Sequence, residues 1–403
     1  MRQSLSLTVN ERCVFKITGI GDGDQSFDPG SVVILGSDLR IMEPVLTPEI
    51  TEVLNAAHSR PSLSVILPLE PRFSLKAEAA QSLKIAADKA HVELLKYYQD
   101  DECRPIVQKL QRLISEIRIP FMKKGLAIFI SPEFERVFFL DTPVEEKVIV
   151  DESFEIRELL YNAKQTIPLL LVILSGKTCR VFRGNQYNLK EIRLQIRESV
   201  YAYVNDAPER VANFSDMTAR KQIVVENFLH HIDRELDNLL NETPSAVLLF
   251  GPEKILGDFK KLSRHNDTIM AHIHGNYEEA DINTLLKLTS VHLEPIKTAR
   301  QQELMRALDD AAGRKLIAMG INEVWNSASD GKGRLLVIEK NYHFTYQLPF
   351  EQTGESDPLN PHMRDITDAA IERVLRYGGD VEFVDDGLLE NFEHIALVRY
   401  YPL

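Results

Sequence analysis

The chain has 403 residues, 44% of them hydrophobic and 27% charged, enough for two or three hydrophobic cores. Its formal net charge of -13 excludes indiscriminate attraction to nucleic acid over the whole surface, so any RNA contact has to come from local basic islands. The cysteines Cys13, Cys103 and Cys179 are odd in number, far apart and lack CxxC spacing. They argue against a disulfide framework and a cysteine zinc site and fit a reduced cytoplasmic protein.

Residues 1–46 contain GIGDGDQSFDPGS, a stretch typical of turns or loose chain, between the short apolar alternations CVFKI and SVVIL. The reading is an N-terminal extension. No early apolar stretch is long enough for a secretion signal, and the longest apolar run, PLLLVIL at 168–174, falls far short of the ~20 residues that span a bilayer. The expectation is a cytoplasmic protein with no membrane partner.

A first α/β domain is expected over 47–147. TPEITEVLNAAH carries a threonine N-cap signal and a helical pattern, and PSLSVILPLEP is a buried strand bounded by prolines. Residues 74–118 read as helical, with Leu83, Ala86, Ala90 and Leu94 and then Val107, Leu110, Leu113 and Ile117 at three- and four-residue spacing. GLAIFISPEFERVFFL follows as two strands around a Ser-Pro turn.

A middle α/β domain is expected over 148–296. It opens with a helix-like stretch, then a hairpin through Ser-Gly-Lys in PLLLVILSGKTCRVFRG, and then a third strand. The polar segment 204–222, VNDAPERVANFSDMTARKQ, precedes a helix that sets Ile223, Phe228, Ile232, Leu236 and Leu239 along one stripe. AVLLF is a buried strand, GPEKILGDFKKLS starts a helix at Gly-Pro, and AHIHGNYEEADINTLLKLT reads as strand, turn and helix. A third α/β domain over 297–403 begins with a helical stretch from Glu303 to Gly320. It continues with strands RLLVIEK and HFTYQL, the loop EQTGESDPLNPHM, the helix DITDAAIERVLRY ended by Gly378-Gly379, and strands DVEFV and HIALVRY. Residues 300–403 carry 11 basic and 18 acidic side chains, a surface better suited to a protein partner than to a phosphate backbone.

Two apparent motifs fail on chemistry. SGKT at 175–178 lacks the glycine a P-loop needs five residues before Gly-Lys, since Leu171 stands there, and TCRVF reads as strand rather than helix. His272 and His274 offer two imidazoles on one strand face, with His265 nearby in sequence, but no converging partner set is visible, so no metal site or cofactor is expected. No GxSxG, HExxH or GxGxxG occurs, and spacing singles out no catalytic carboxylate pair. One island stands out electrostatically. Residues 176–224 carry Lys177, Arg180, Arg183, Lys190, Arg193, Arg197, Arg210, Arg220 and Lys221 against five acidic side chains. A solvated sheet face would account for such a run; a phosphate-contacting arm with arginine forks is the functional alternative.

The ordered segments PSLSVILPLEP, KKGLAIFISPEFERVFFL, LVILSGKTCRVFRG, VLLFGPEKILGDFKKLS and HIHGN resemble the bacterial relatives of the archaeo-eukaryotic release factors, a Pelota-like group that includes the ribosome hibernation factor Balon. The resemblance covers about 47–403 and implies three consecutive α/β domains that act as N, middle and C domains. It implies approach to the decoding region by the first domain and to the peptidyl-transferase centre by the second. The third would face a translational GTPase such as EF-Tu. Release factors carry Gly-Gly-Gln in a loop before the long middle-domain helix, where it helps position water on the peptidyl ester. The matching place here, 204–222, holds no glycine, and its one glutamine, Gln222, is already at the helix start. Gly378-Gly379 is followed by Asp380 in another domain, and GNQ at 184–186 ends a strand.

The expectation is therefore a non-catalytic factor that occupies the ribosomal A site in hibernation or rescue. Arg197, Arg210, Asn213, Arg220 and Lys221 are expected to contact rRNA near the loop, with Lys123 and Lys124 doing so in the first domain. The alternatives are a peptidyl-tRNA hydrolase or nuclease on the same scaffold, sought first at His230, His231 and Asp216, or an adaptor that binds another protein.

Overall fold

A computed structural model describes residues 47–56, 61–69, 76–120, 122–175, 177–194, 217–346 and 364–402. The expected N-terminal extension and most of the segment 204–222 lie outside these residues. The described chain forms two compact units. One is Ile167–Glu294; the other joins Met42–Thr166 to Pro295–Leu403.

In the second of these units, helix α1 (Pro48–Asn55) starts where the sequence puts it: the Thr47 hydroxyl accepts the Ile50 amide, and Pro48 sits at the first helical position. Strands β1 (Ser62–Pro68), β2 (Gly125–Ile130), β3 (Glu135–Leu140) and β4 (Lys147–Asp151) make an antiparallel sheet in the order β3-β2-β1-β4. Strand β1 is buried along nearly its whole length because both faces are covered. Leu63, Val65 and Leu67 face helices α2 (Lys76–Leu95) and α3 (Asp100–Glu116) through Leu83, Ala90, Leu94, Ile106 and Leu110. On the other face, Ile66, Ala127 and Phe129 pack with α1 and with helix α4 (Arg157–Gln165).

That second core runs on into the C-terminal part of the same unit. There β10 (Ile317–Met319), β11 (Gly333–Glu339), β14 (Asp380–Val384) and β15 (Ile395–Arg399) form a sheet in the order β10-β15-β11-β14, and only β11 and β14 are parallel. Helices α8 (Gly320–Ser329) and α9 (Ile366–Arg376) add Ile321, Val324, Ile371 and Val374 to the core shared with Phe129 and Leu160. Strands β12 (Thr345–Tyr346) and β13 (Arg364–Asp365) form a short ribbon. The helical stretch expected from Glu303 to Gly320 stops early: helix α7 spans Ile282–Gly313, Lys315 takes a left-handed φ of 57°, and β10 pairs with β15. Leu316 and Ile317 continue the helical spacing, so periodicity alone cannot place that break.

In the unit Ile167–Glu294, β5 (Leu169–Leu174), β6 (Cys179–Gly184), β7 (Leu189–Ile192), β8 (Ala246–Gly251) and β9 (Ile269–His274) form a sheet in the order β7-β6-β5-β8-β9. The β5-β6 hairpin is antiparallel, while β5, β8 and β9 run parallel. Helix α5 (Met217–Glu242) and helix α6 (Glu253–Leu262) cover one face, burying Val224, Phe228, Ile232, Leu236, Leu256 and Phe259 on Leu170, Val172, Val247 and Leu249. Of the stripe expected on α5, Phe228, Ile232 and Leu236 are buried and Leu239 packs against them partly buried, but Val224 rather than Ile223 takes the first place, since it is Val224 that lies four residues before Phe228.

Candidate functional site

The basic island is a property of β6, its neighbour β7 at the sheet edge, and the chain that follows. Within the described residues, strand alternation divides its charges between two faces. Arg183 lies directly opposite Lys190 in register, on the α5 face with Val181 and Ile192, and its guanidinium reaches Glu242 at 2.9 Å. Arg180 is on the opposite face, over the Phe182 ring at 4.9 Å, and forks onto Glu191 at 2.8 and 3.0 Å. Its Nη1 also donates to the Glu278 carbonyl at 2.8 Å. This hydrogen-bonded pair holds the Glu191 carboxyl below the usual carboxylate range. Arg180 and Arg183 are thus engaged within the protein. Lys177, Lys190 and Arg193 are exposed, and with them the edge keeps positive charge open to a phosphate partner.

The residues expected to touch rRNA fall in three places. Arg197, Arg210 and Asn213 lie outside the described residues. Arg220 and Lys221 lie in the opening turns of α5. In the other unit, Lys123 is paired with Asp141 at 2.8 Å, and burial draws the Lys124 ammonium below its ordinary range, with Asp141 opposing. The pairing of Lys123 makes it a poor phosphate ligand without rearrangement.

The apparent motifs resolve into local structure. In the SGKT turn, the Ser175 hydroxyl accepts the amides of Lys177 at 3.1 Å and Thr178 at 2.8 Å. The backbone donors that would cradle a phosphate are satisfied by the turn itself. In GNQ, Asn185 Oδ1 accepts the amides of Tyr187 and Asn188, and Gln186 Oε1 accepts the Ile167 amide at 2.9 Å. The glutamine therefore anchors backbone. Gly378 takes a φ of 79° behind α9, and the Gly379 amide returns to Val374 O at 2.9 Å, a helix C-cap. A Cβ on Gly379 would stand 2.5 Å from Gly333 O.

The histidines separate in the same way. His272 and His274 share a face of the sheet-edge strand β9, and the His272 imidazole is held below its ordinary range by burial, then by Lys260 and His274. His230 is exposed on α5, and Asp216 lies outside the described residues. His265 belongs to a buried pin that the sequence does not reveal. Asp233 on α5 accepts the Ser263 hydroxyl at 2.6 Å and the Arg264 amide at 3.3 Å, fixing the turn after α6. Only the fold brings these residues together, because Asp233 and Ser263 are thirty positions apart.

By fold and site, this is a multi-domain α/β protein that presents unpaired basic side chains at the edge of one sheet. Residues 169–332 match the family described as bacterial archaeo-eukaryotic release factor family 3. Through that segment the protein is release-factor-like, as the motif order implies. No curated protein matches the chain.

Solved structures give distant likenesses. Saccharomyces cerevisiae Dom34, described as a translation termination-like factor in RNA quality control that interacts with Hbs1, is 16% identical, with 73% of this chain and 78% of that one covered and a TM-score of 0.37. Archaeal Pelota, described in a ribosome-bound state with ABCE1, is 11% identical over 88% and 94%, with a TM-score of 0.39. Archaeoglobus fulgidus Pelota is 11% identical over 69% and 80%, with a TM-score of 0.34. Among the described residues, no helix is long and apolar enough to cross a membrane.

Proposed function

We propose that the protein is a ribosome-associated factor of the release-factor type that occupies the A site of vacant or stalled ribosomes without hydrolysing peptidyl-tRNA. The observation that carries this reading is a pairing of presence and absence in one stretch of chain. The family match begins at 169 and runs through the segment before α5. In that segment, 204–222, there is no glycine to form a Gly-Gly-Gln tip. The nearby GNQ glutamine, which could imitate one, is spent on the Ile167 amide.

Exposed Lys177, Lys190 and Arg193, with Arg197, Arg210, Asn213, Arg220 and Lys221 along the following chain, give the same region a phosphate-seeking character. The net charge of the whole chain is negative, so binding of this kind is local and oriented rather than a general coating of RNA. The acidic C-terminal part, with 18 carboxylates to 11 basic side chains over 300–403, supports a protein partner there, and a translational GTPase such as EF-Tu is the partner proposed. The cytoplasm is the compartment this role requires.

Co-sedimentation with vacant 70S ribosomes over a salt series tests the proposal. Binding at low salt that weakens steeply as salt rises is expected, because phosphate contacts release counterions. A protein that stays in the supernatant at low salt would refute it.

A further inference from the structure

Strand β4 leaves one side of its sheet open. Among the described residues no strand pairs with its outer edge, and its ladder with β1 runs from Lys147 to Asp151 without a bulge. An open edge of apolar β-branched residues is a template for another strand, and folded proteins guard such edges with charge, proline or a bulge. The opposite edge, β3, is guarded by charge: Glu135 is ion-paired with Arg112, and Arg136 with Glu52. In β4 the central residues are Val148, Ile149 and Val150, and the charges stand only at its two ends.

The helix beside this edge carries a second apolar stripe. Leu83, Ala86, Ala90 and Leu94 bury one face of α2 against the sheet. Ile85 and Val92, two helical turns apart, lie away from that face and are 47% and 59% exposed. A helix with a single partner carries polar residues there. Ile85, Val92 and Val148 line one groove between α2 and β4, bounded by the Lys89–Glu146 ion pair.

We propose that β4 and α2 form the interface of a two-fold dimer, in which a second copy of this chain fills the groove. A two-fold contact has to be complementary to itself, and β4 is: KVIVD reads as a cation, three apolar residues and an anion. An axis through Ile149, perpendicular to the sheet, sets β4 antiparallel to its copy. Lys147 then stands opposite Asp151 of the partner subunit, Val148 opposite Val150 of the partner subunit, and Ile149 opposite its own equivalent. Opposite charges and β-branched residues are favourable cross-strand pairs. Lys147 also holds Glu158 at 2.5 Å, so in the dimer its ammonium lies between two carboxylates. Strands pair about 4.8 Å apart and α2 lies over β1 and β4, so the two α2 helices run antiparallel at ~10 Å, an ordinary distance for packed helices. Ile85 and Val92 of each copy then cover the groove of the other.

The test is analytical ultracentrifugation of the full chain at loading concentrations up to about 100 μM, because one strand and one helix make an interface at the small end of stable ones. A species of twice the chain mass is expected, growing with concentration. Ile85→Lys combined with Val92→Lys puts like charges across the axis. Both positions are exposed, so this variant keeps the far-ultraviolet dichroism and Tm of the parent, and its dissociation constant is expected to rise at least about tenfold. In parallel, Ile149→Cys sets two thiols face to face at the axis, within disulfide reach of a cross-strand pair. Mild oxidation is expected to give a covalent dimer well above the level that the parent's own cysteines produce. A chain that stays monomeric at every concentration overturns the proposal, whether its edge is bare or covered by an extended segment of its own or of another protein. A dimer untouched by the paired lysine substitutions, or one in which Ile149→Cys adds no cross-link, joins through another surface and overturns it equally.

Discussion

Lys164 and Asp380 form a buried ion pair, Nζ to Oδ1 at 2.6 Å, between positions 216 apart in sequence. The ammonium also reaches Glu382 Oε1 at 3.1 Å. Arg300 closes the network, donating to Glu382 Oε2 at 2.6 Å and to the Lys164 carbonyl at 2.9 Å. The Lys164 side chain is 2% exposed, so its charge is tolerated only because two carboxylates answer it. Lys164→Ala leaves those carboxylates without their central cation, and the expected loss is about 3–5 kcal/mol of unfolding free energy. Urea denaturation checks this, and a loss below about 1 kcal/mol would mean that water or Arg300 compensates.

Gly379 makes a steric prediction. Its position beside Gly333 O and the Val374 side chain leaves no room for a Cβ. Gly379→Ala is expected to cost about 1–3 kcal/mol through displaced backbone, read as a lowered Tm. It should leave ribosome binding unchanged at temperatures where the variant is folded. A loss of binding by a folded Gly379→Ala protein would give this glycine pair a role beyond the helix cap.

His272 sets a pH dependence whose sign is fixed by its surroundings. Burial, with Lys260 and His274 adding to it, holds the folded imidazole below the usual value of 6.5. The unfolded state therefore takes up the proton first, and stability is fully present above the unfolded pKa and declines as pH falls below it. His272→Gln is expected to flatten the decline in Tm between about pH 7 and about pH 5. An unchanged profile would show that another group dominates that window.

The exposed basic edge predicts a graded effect. Reversing Lys177, Lys190 and Arg193 together to glutamate should leave the circular dichroism unchanged, because all three are exposed. It should weaken ribosome binding and lower the salt slope by about 0.9 for each phosphate no longer neutralised, or somewhat less on single-stranded RNA. Binding with an unaltered slope would remove this edge from the interface and leave the chain after it to supply the basic side chains.

What the sequence makes legible is what local chemistry decides. Thr47 before Pro48, the hairpin through Ser175 to Thr178, the α5 stripe from Phe228 to Leu239 and the cap at Gly378 each depend on residues a few positions apart. Strand β4 is harder to read because KVIVD becomes a strand by pairing with β1, more than eighty residues earlier. The buried charges are harder still. Nothing near Lys164 announces Asp380, and nothing near Arg157 announces Asp368, since only the packing of α4 and α9 into one core brings them together. At the candidate site, composition identifies the island, but strand register decides which charges are engaged: Arg180 meets Glu191, Arg183 meets Glu242, and Lys190 and Arg193 stay open.

The proposed role is occupancy of the ribosome without hydrolysis. Sedimentation of 70S ribosomes loaded with peptidyl-tRNA labelled in the peptide tests it most directly, with the protein added in excess at low salt. The protein is expected to pellet with the ribosomes, and the label to stay on the tRNA at the level of the untreated control. Protein left in the supernatant, or label released above that control, would contradict it.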